Sequence, residues 1–216
     1  MSENILDKII SQTKLSKKTT DKQKKIEETA IKMFAEKGYA NTSTSEIAKA
    51  SGVAEGTIFR HYGTKDNLLL SVLLPFIKEL MPALMQEVID EFSPKKFDSF
   101  EMFLRELLKN RMKFIKENRE IFKILVKELL YRDDLRKEFL SFVNKDIFLF
   151  IGNVVDTFKE QGELKKLPTL TIMRMLGTFI GGYFTSRFIF LPDDYIAEDD
   201  VEIEYMVGFI MNGLKA

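Results

Sequence analysis

An all-α chain is what this sequence predicts, and three observations carry the prediction. Apolar residues recur three and four positions apart in run after run. No stretch alternates polar and apolar residues for long enough to argue a sheet. No unit of roughly 20 to 50 residues repeats along the 216-residue chain. That length accommodates one domain or two modest ones, and 45% hydrophobic residues supply a sizeable core.

Residues 1–20 are polar and mixed, although Ile5, Leu6, Ile9 and Ile10 sit at near-helical spacing; a short helix and a fluctuating arm both fit. From Asp21 a firm helix runs to about Lys37, with Ile26, Ala30, Met33 and Phe34 on one face. Gly38 ends it and Tyr39 packs back. The stretch from Thr42 to Leu68 then reads as two very short helices joined by a tight turn, followed by the start of a longer one. Ser43 is an N-cap with Glu46 three residues on, the spacing of a capping box. Ile47, Ala48 and Ala50 make a small apolar face, and Gly52 stands where the helix must stop and the chain reverse. Val53 plugs the corner. The second short helix begins at Ala54 or Glu55 and carries Ile58, Phe59 and Tyr62 at helical spacing, leaving Thr57, Arg60 and His61 outward. This is a helix-turn-helix, a motif whose second helix enters a major groove by its N-terminal end.

Thr64 caps the next helix, which Pro75 and Pro82 interrupt, so that one bent helix or two in series reach about Phe92. Ser93-Pro94 is a break. Phe97 to Lys116 is helical, with Phe100, Phe103, Leu104, Leu107, Leu108, Met112 and Ile115 on one face. Helices follow from Arg119 to Leu130, from Asp133 to Gln161, from Thr169 to Phe190 and from Val201 to Leu214. Gly162 to Pro168 and the segment from Pro192 through Asp200 separate the last three.

Composition excludes as much as it suggests. Thirty-three basic and 33 acidic residues cancel, so whole-chain charge points to no partner. The distribution is uneven: up to Asp66 there is a basic excess of about three, and in the leading arm Lys14, Lys17, Lys18, Lys22, Lys24 and Lys25 face only Asp21. Such lysines make a solvated tail or, before a helix-turn-helix, phosphate contacts. There is no cysteine and one histidine, His61, so neither a thiolate or histidine metal cluster nor a Cys-His nucleophile is available. We expect no catalytic residue, no metal and no cofactor, and hence no enzyme. The apolar runs Leu68 to Ile77 and Ile147 to Ile151 fall short of the roughly 20 residues that span a bilayer, and the N-terminus lacks a signal-peptide core. A soluble, cytoplasmic protein without membrane contact is expected.

The helix-turn-helix also resembles the TetR family of bacterial transcriptional regulators. The matching residues are Gly38-Tyr39, Thr42, Ile47-Ala48, Ser51-Gly52-Val53, Gly56-Thr57, Phe59 with Tyr62, and Thr64-Lys65 with Leu68. The resemblance implies an N-terminal three-helix DNA-binding domain over residues 21–67, behind an arm of residues 1–20. A C-terminal helical bundle over residues 68–216 would serve ligand binding and dimerisation. It implies a homodimeric repressor on a palindromic double-stranded DNA operator, released by a small, bulky apolar or aromatic effector. An activator or architectural factor with no effector is the alternative.

The DNA-contacting candidates are Thr44, Ser45, Glu55, Gly56, Thr57, Phe59, Arg60, His61 and Lys65. Glycine inside a helix costs about 1 kcal/mol against alanine, so Gly56 marks close backbone approach to phosphate or a frayed first turn. Thr57 suits a thymine methyl, a phosphate or a local backbone bond. Arg60 suits guanine, a phosphate or plain solvent, and Lys65 stands at a helix start where amides and positive charge favour phosphate. By resemblance, Thr44 and Ser45 join that backbone grip. Ala54 and Phe59 replace the serine and tyrosine frequent in the family. Glu55 stands where lysine or a neutral polar residue is commoner; it either accepts from cytosine N4 or stays clear of the groove.

The remainder is rich in phenylalanine and methionine, of which the whole chain has 19 and ten. Most such residues are core, but an effector pocket is implied by resemblance. Its candidates are Phe103, Leu107, Arg111, Phe114, Phe122, Phe148, Asn153, Phe179 and Tyr183; Arg111, Asn153 and Arg174 suit either a ligand's polar end or the surface. Gly177-x-x-x-Gly181-Gly182 permits close helix approach, a weak signal outside membranes. With Phe184, Phe188, Met206, Phe209 and Ile210 it suggests a two-fold dimer seam, against the competing reading of a glycine-rich helix buried within one subunit.

Overall fold

A computed structural model describes residues 20–142, 147–191 and 197–216, without the side chains at 79, 80, 83, 84 and 142. The expectations for the N-terminal arm, for 143–146 within the helix read from Asp133 to Gln161, and for Pro192 with the start of the acidic loop lie outside the described residues. Every regular element among the described residues is helical, and the one extended pairing is an isolated bridge between Leu164 and Lys215. None of the helices is long and apolar enough to cross a membrane.

The chain divides into two compact units, Met1–Leu84 with Glu117–Phe142, and Met85–Lys116 with Val143–Ala216. In the first, α1 (Asp21–Lys37) is opened by a reciprocal capping box between Thr20 and Gln23 and ended by Gly38 at φ +84°. It buries Ile26, Ala30, Ile31, Phe34 and Ala35. Helix α2 (Thr44–Ser51) carries the Ser43–Glu46 capping box that its sequence predicts. Gly52, left-handed at φ +70°, closes it as the Val53 amide donates back to the Ala48 carbonyl. Helix α3 (Glu55–Tyr62) buries Ile58 and Tyr62 and stops at Gly63.

Thr64 accepts from the Asn67 amide to cap α4 (Lys65–Pro75). Pro75 does not break the run. A π-helical turn over Phe76–Leu80 follows it and leads into α5 (Met81–Glu91), where Pro82 occupies the first turn. Helices α7 (Arg119–Tyr131) and α8 (Asp133–Phe142) complete the first unit through buried Ile121, Ile124, Leu125 and Leu135.

The second unit contains α6 (Phe100–Glu117), α9 (Phe148–Glu160), α10 (Thr169–Thr185) with a π turn at Ser186–Phe190, and α11 (Asp199–Leu214). Rings of Phe92, Phe97, Phe100, Phe103 and Phe158 meet edge to face or stacked, with centroids 5.5–6.4 Å apart. Buried Arg187 pairs with Asp199 at 2.6 Å, and Lys116 reaches the other oxygen of Asp199 at 2.7 Å. Those bonds fix the start of α11 against the end of α10 and of α6.

Candidate nucleic-acid interface

The corner between α2 and α3 follows from local chemistry. Gly52 supplies the left-handed turn, half-buried Val53 fills the corner, and Ile47, Ala48, Ile58 and Tyr62 are buried beneath it. Two of these, Ile58 and Tyr62, are four residues apart and share a face. Phe59 lies about 100° round the helix from Ile58 and is 48% exposed, so the apolar set read from sequence loses it to the outer face. That face is continuous: Glu55, Gly56, Phe59, Arg60 and His61 are exposed and Thr57 is half-buried. A Cβ at Gly56 would meet nothing within 4 Å, so packing among the described residues does not require the glycine. Arg60 has no hydrogen-bond or ion-pair partner among the described residues.

Charge at this corner is arranged by contacts that sequence spacing did not reveal. Lys37 donates to Glu46 Oε1 at 2.8 Å. That bond, with those from the Ser43 amide and hydroxyl, pushes the Glu46 carboxyl down to about 2. Thr44 Oγ1 donates to Glu55 Oε1 at 2.7 Å, joining the entry of α2 to the entry of α3. Ser45 stays exposed. Lys65 is more occupied than its sequence position suggests: Nζ donates to the Tyr39 carbonyl at 2.9 Å and the Thr42 carbonyl at 2.8 Å, over the Tyr39 ring. Of three ammonium donors, one is left. The N-termini of α2 and α4 open on one shallow groove lined by Thr42, Ser43, Thr44, Phe59, Thr64 and Lys65. Orphan amides at such ends favour anions.

The effector-pocket candidates scatter. Phe103 is buried in the phenylalanine cluster and Leu107 is half-buried beside it on α6. Arg111 bonds the Asn110 side chain and covers the Phe114 ring at 5.0 Å; burial lowers its pKa while Glu91 raises it. Phe122 is half-buried on α7, in the first unit, whereas Phe148 and Asn153 are exposed on α9. Tyr183 donates to Glu202. Phe179 stacks on Phe209 at 4.6 Å and 11°, lining a surface groove with Leu167, Met175 and Ile210.

The seam candidates divide. Phe184, Phe188, Met206 and Ile210 are core residues of their own subunit. Gly177, Gly181 and Phe209 are outward, and a Cβ at either glycine would meet nothing within 4 Å. Among the described residues, nothing buries the glycine-bearing face of α10. Leu170 is exposed on that face, and Met175 on α10 and Tyr205 on α11 are exposed elsewhere on these helices. No group of three or more His, Asp or Glu that could hold a metal occurs among the described residues.

An all-α chain that opens on a helix-turn-helix with a free outer face defines a class of DNA-binding fold. Residues 26–72 match the profile of the family described as bacterial regulatory proteins, tetR family. An uncharacterised HTH-type transcriptional regulator of Bacillus subtilis, YuxN, is 47% identical over 53 residues, which are 24% of this chain and 18% of that protein. The chain thus spans less than a fifth of this curated relative's length. Likeness of fold extends further. A bacterial regulatory protein in the tetR family from Rhodococcus RHA1 superposes with a TM-score of 0.69 at 16% identity, covering 90% of this chain and 97% of its own. The transcriptional regulator FadR from Bacillus subtilis, in complex with stearoyl-CoA, superposes with a TM-score of 0.61 at 19% identity, covering 88% and 97%.

Proposed function

We propose that this chain is a ligand-responsive transcriptional regulator, a homodimeric repressor of a near-palindromic operator. The observation that carries the reading is the outer face of α3, where Glu55, Gly56, Phe59, Arg60 and His61 are all exposed on a helix held rigidly by buried Ile58 and Tyr62. Each subunit offers that helix to a major groove, with Arg60 free to reach a base or phosphate. Half-sites then lie about one helical turn apart, roughly 34–36 Å. Ser45, Thr57, the remaining donor of Lys65 and the amides at the starts of α2 and α4 hold phosphates. The second copy covers the apolar face of α10 and α11, where Gly177 and Gly181 leave room for a helix.

An effector that prefers the shape unable to dock changes the distance between the two α3 helices and so disengages one of them. Its leverage is limited to its difference in affinity between the two shapes. An apolar effector is favoured by the aromatic content of the second unit, and the FadR complex with stearoyl-CoA shows one ligand of that kind on a similar fold. Footprinting of purified protein on duplex DNA tests the core of the reading: two protected half-sites one turn apart are expected, and protection of none defeats it. Native mass spectrometry tests the effector arm, with a co-purifying apolar ligand whose addition lowers DNA affinity as the expected result. Binding indifferent to every apolar compound would instead mark an effector-free activator or architectural factor.

A further inference from the structure

Thr44 and Glu55 are eleven residues apart in sequence and belong to different helices, yet a 2.7 Å hydrogen bond joins them across the turn. The Thr44 hydroxyl donates its proton to Oε1, a charge-assisted bond that selects one side-chain geometry for an otherwise exposed glutamate. Among the described residues no lysine, arginine or histidine lies within ion-pair reach of Glu55, and nothing donates to Oε2. The carboxylate is not a helix cap either, since Ala54 occupies that position without a side-chain bond. What remains is an acceptor-only oxygen, held at the first residue of α3, at the end of the helix that leads into the groove.

We propose that Glu55, positioned by Thr44, selects cytosine at one base pair of each half-site; this rests on the reading that α3 enters the major groove. The choice of base follows from the donor and acceptor pattern of the groove. Guanine offers N7 and O6, both acceptors, and thymine offers O4 and a methyl group, so both repel a carboxylate or leave it unpaired. Adenine has a donor at N6 but an acceptor at N7 beside it, a pair that suits an amide better than a carboxylate. Cytosine presents its N4 amino group, the partner a carboxylate oxygen accepts from without a neighbouring acceptor on the same base. The negative charge also raises the cost of approaching phosphates anywhere else, so Glu55 gains its discrimination partly by weakening non-specific contact.

The test is selection of binding sites from a pool of randomised duplex DNA with the full-length protein and four variants: Glu55→Ala, Glu55→Gln, Thr44→Val and Thr44→Ser. The wild type should enrich a half-site with one cytosine preferred by about tenfold or more, the scale of a good base contact. Glu55→Ala should bind the same half-site with that preference reduced to near unity, and with tighter non-specific binding. Glu55→Gln should move the preference at that position towards adenine, whose N6 and N7 match an amide. Thr44→Val should blunt the cytosine preference with helical content and DNA binding retained, and Thr44→Ser should restore it. A cytosine preference that survives Glu55→Ala overturns the inference while leaving DNA binding intact. Failure of the wild type to enrich any sequence overturns the functional reading itself, and the inference with it.

Discussion

Arg132 Nη1 lies 2.6 Å from Asp66 Oδ1, and the same oxygen accepts the Tyr39 hydroxyl at 2.6 Å. One carboxylate, one residue past Lys65 in the first turn of α4, thereby joins the α7–α8 junction to the loop before α2. Asp134 holds the guanidinium from its other side at 3.2 Å. The Asp66 pKa is lowered, first by the tyrosine bond and then by the arginine bond. This stabilisation is present above the unfolded aspartate value of 3.8 and is lost as pH falls through the lower folded value. Asp66→Ala should cost more than Arg132→Ala, because it releases Tyr39 as well. The double variant should cost less than the sum of the two single ones, a coupling of about 0.2–1 kcal/mol for so exposed a carboxylate. Urea titration of the four proteins measures it, and strict additivity would contradict the shared-oxygen geometry.

Glu27 behaves in the opposite sense. It is 6% exposed on α1, and burial raises its pKa from 4.5 to about 7 against the hydroxyl of Tyr62, which donates at 3.0 Å and lowers it. Below 4.5 both folded and unfolded chains carry the proton. Between 4.5 and about 7 the folded chain keeps it while the unfolded chain releases it, so stability falls as pH rises through that window. The loss is on the order of 3 kcal/mol at neutral pH. Glu27→Gln keeps an acceptor for Tyr62 and removes the ionisation. It should therefore raise stability at pH 7.5, change it little at pH 4.5, and flatten the difference between them. Parallel loss in both proteins across that range would assign the pH dependence elsewhere.

These pairs also mark where sequence reading stops. Ser43, Glu46, Gly52 and Thr64 were legible because a cap is a contact across three or four residues, and their spacing alone specifies it. The exposed set on α3 was largely legible for the same reason, through helical period. Phe59 groups with Ile58 and Tyr62 by spacing yet is exposed, as its place among the DNA-contacting candidates requires, because so short a helix offers too few positions to separate 58 and 62 from 59. Bonds such as Thr44–Glu55, Lys37–Glu46 and Arg132–Asp66 join residues 11, 9 and 66 apart. No period encodes them. In the second unit, aromatic abundance predicted a core but could not distribute it. Phe184 and Phe209 look alike in sequence, yet one is buried and the other outward, because that depends on which neighbouring helix each meets.

Arg60 and Lys65 should separate in a way that sequence alone would not suggest. Arg60 is exposed and unengaged within the described chain, so Arg60→Ala should leave the thermal midpoint unchanged. If it reaches a base, DNA affinity should fall by about 1–3 kcal/mol, with relaxed preference at one position. Lys65→Ala should weaken binding to all sequences alike and reduce the salt slope by about 1. It should also lower the midpoint, since the Tyr39 and Thr42 carbonyls lose their donor. Titration of operator and scrambled duplexes at several salt concentrations, beside a melt of each variant, distinguishes the two roles. An unchanged midpoint in Lys65→Ala would mean that its carbonyl contacts carry no stability.

The apolar face of α10 and α11 yields the sharpest test of assembly, because two substitutions act on it by different physics. Phe209 is 66% exposed and Tyr205, one turn earlier, is 70% exposed. Phe209→Glu places a charge where the proposed partner would bury a ring, and a buried unpaired charge is costly. Sedimentation should show monomers with helical content retained. That substitution also strips a ring from Phe179, so it perturbs its own subunit. Gly181→Leu does not have this ambiguity. A Cβ at Gly181 meets nothing within 4 Å inside the subunit, and replacing glycine in a helix favours the helix by up to about 1 kcal/mol. An isolated subunit should therefore become slightly more stable. A dimer whose partner helix lies against Gly181 should instead weaken, with dissociation at protein concentrations where the wild type remains paired. Loss of pairing in Gly181→Leu with the helical content retained is the result expected if a second chain lies at that face. Retained pairing with a raised melting temperature would place the seam elsewhere on the molecule.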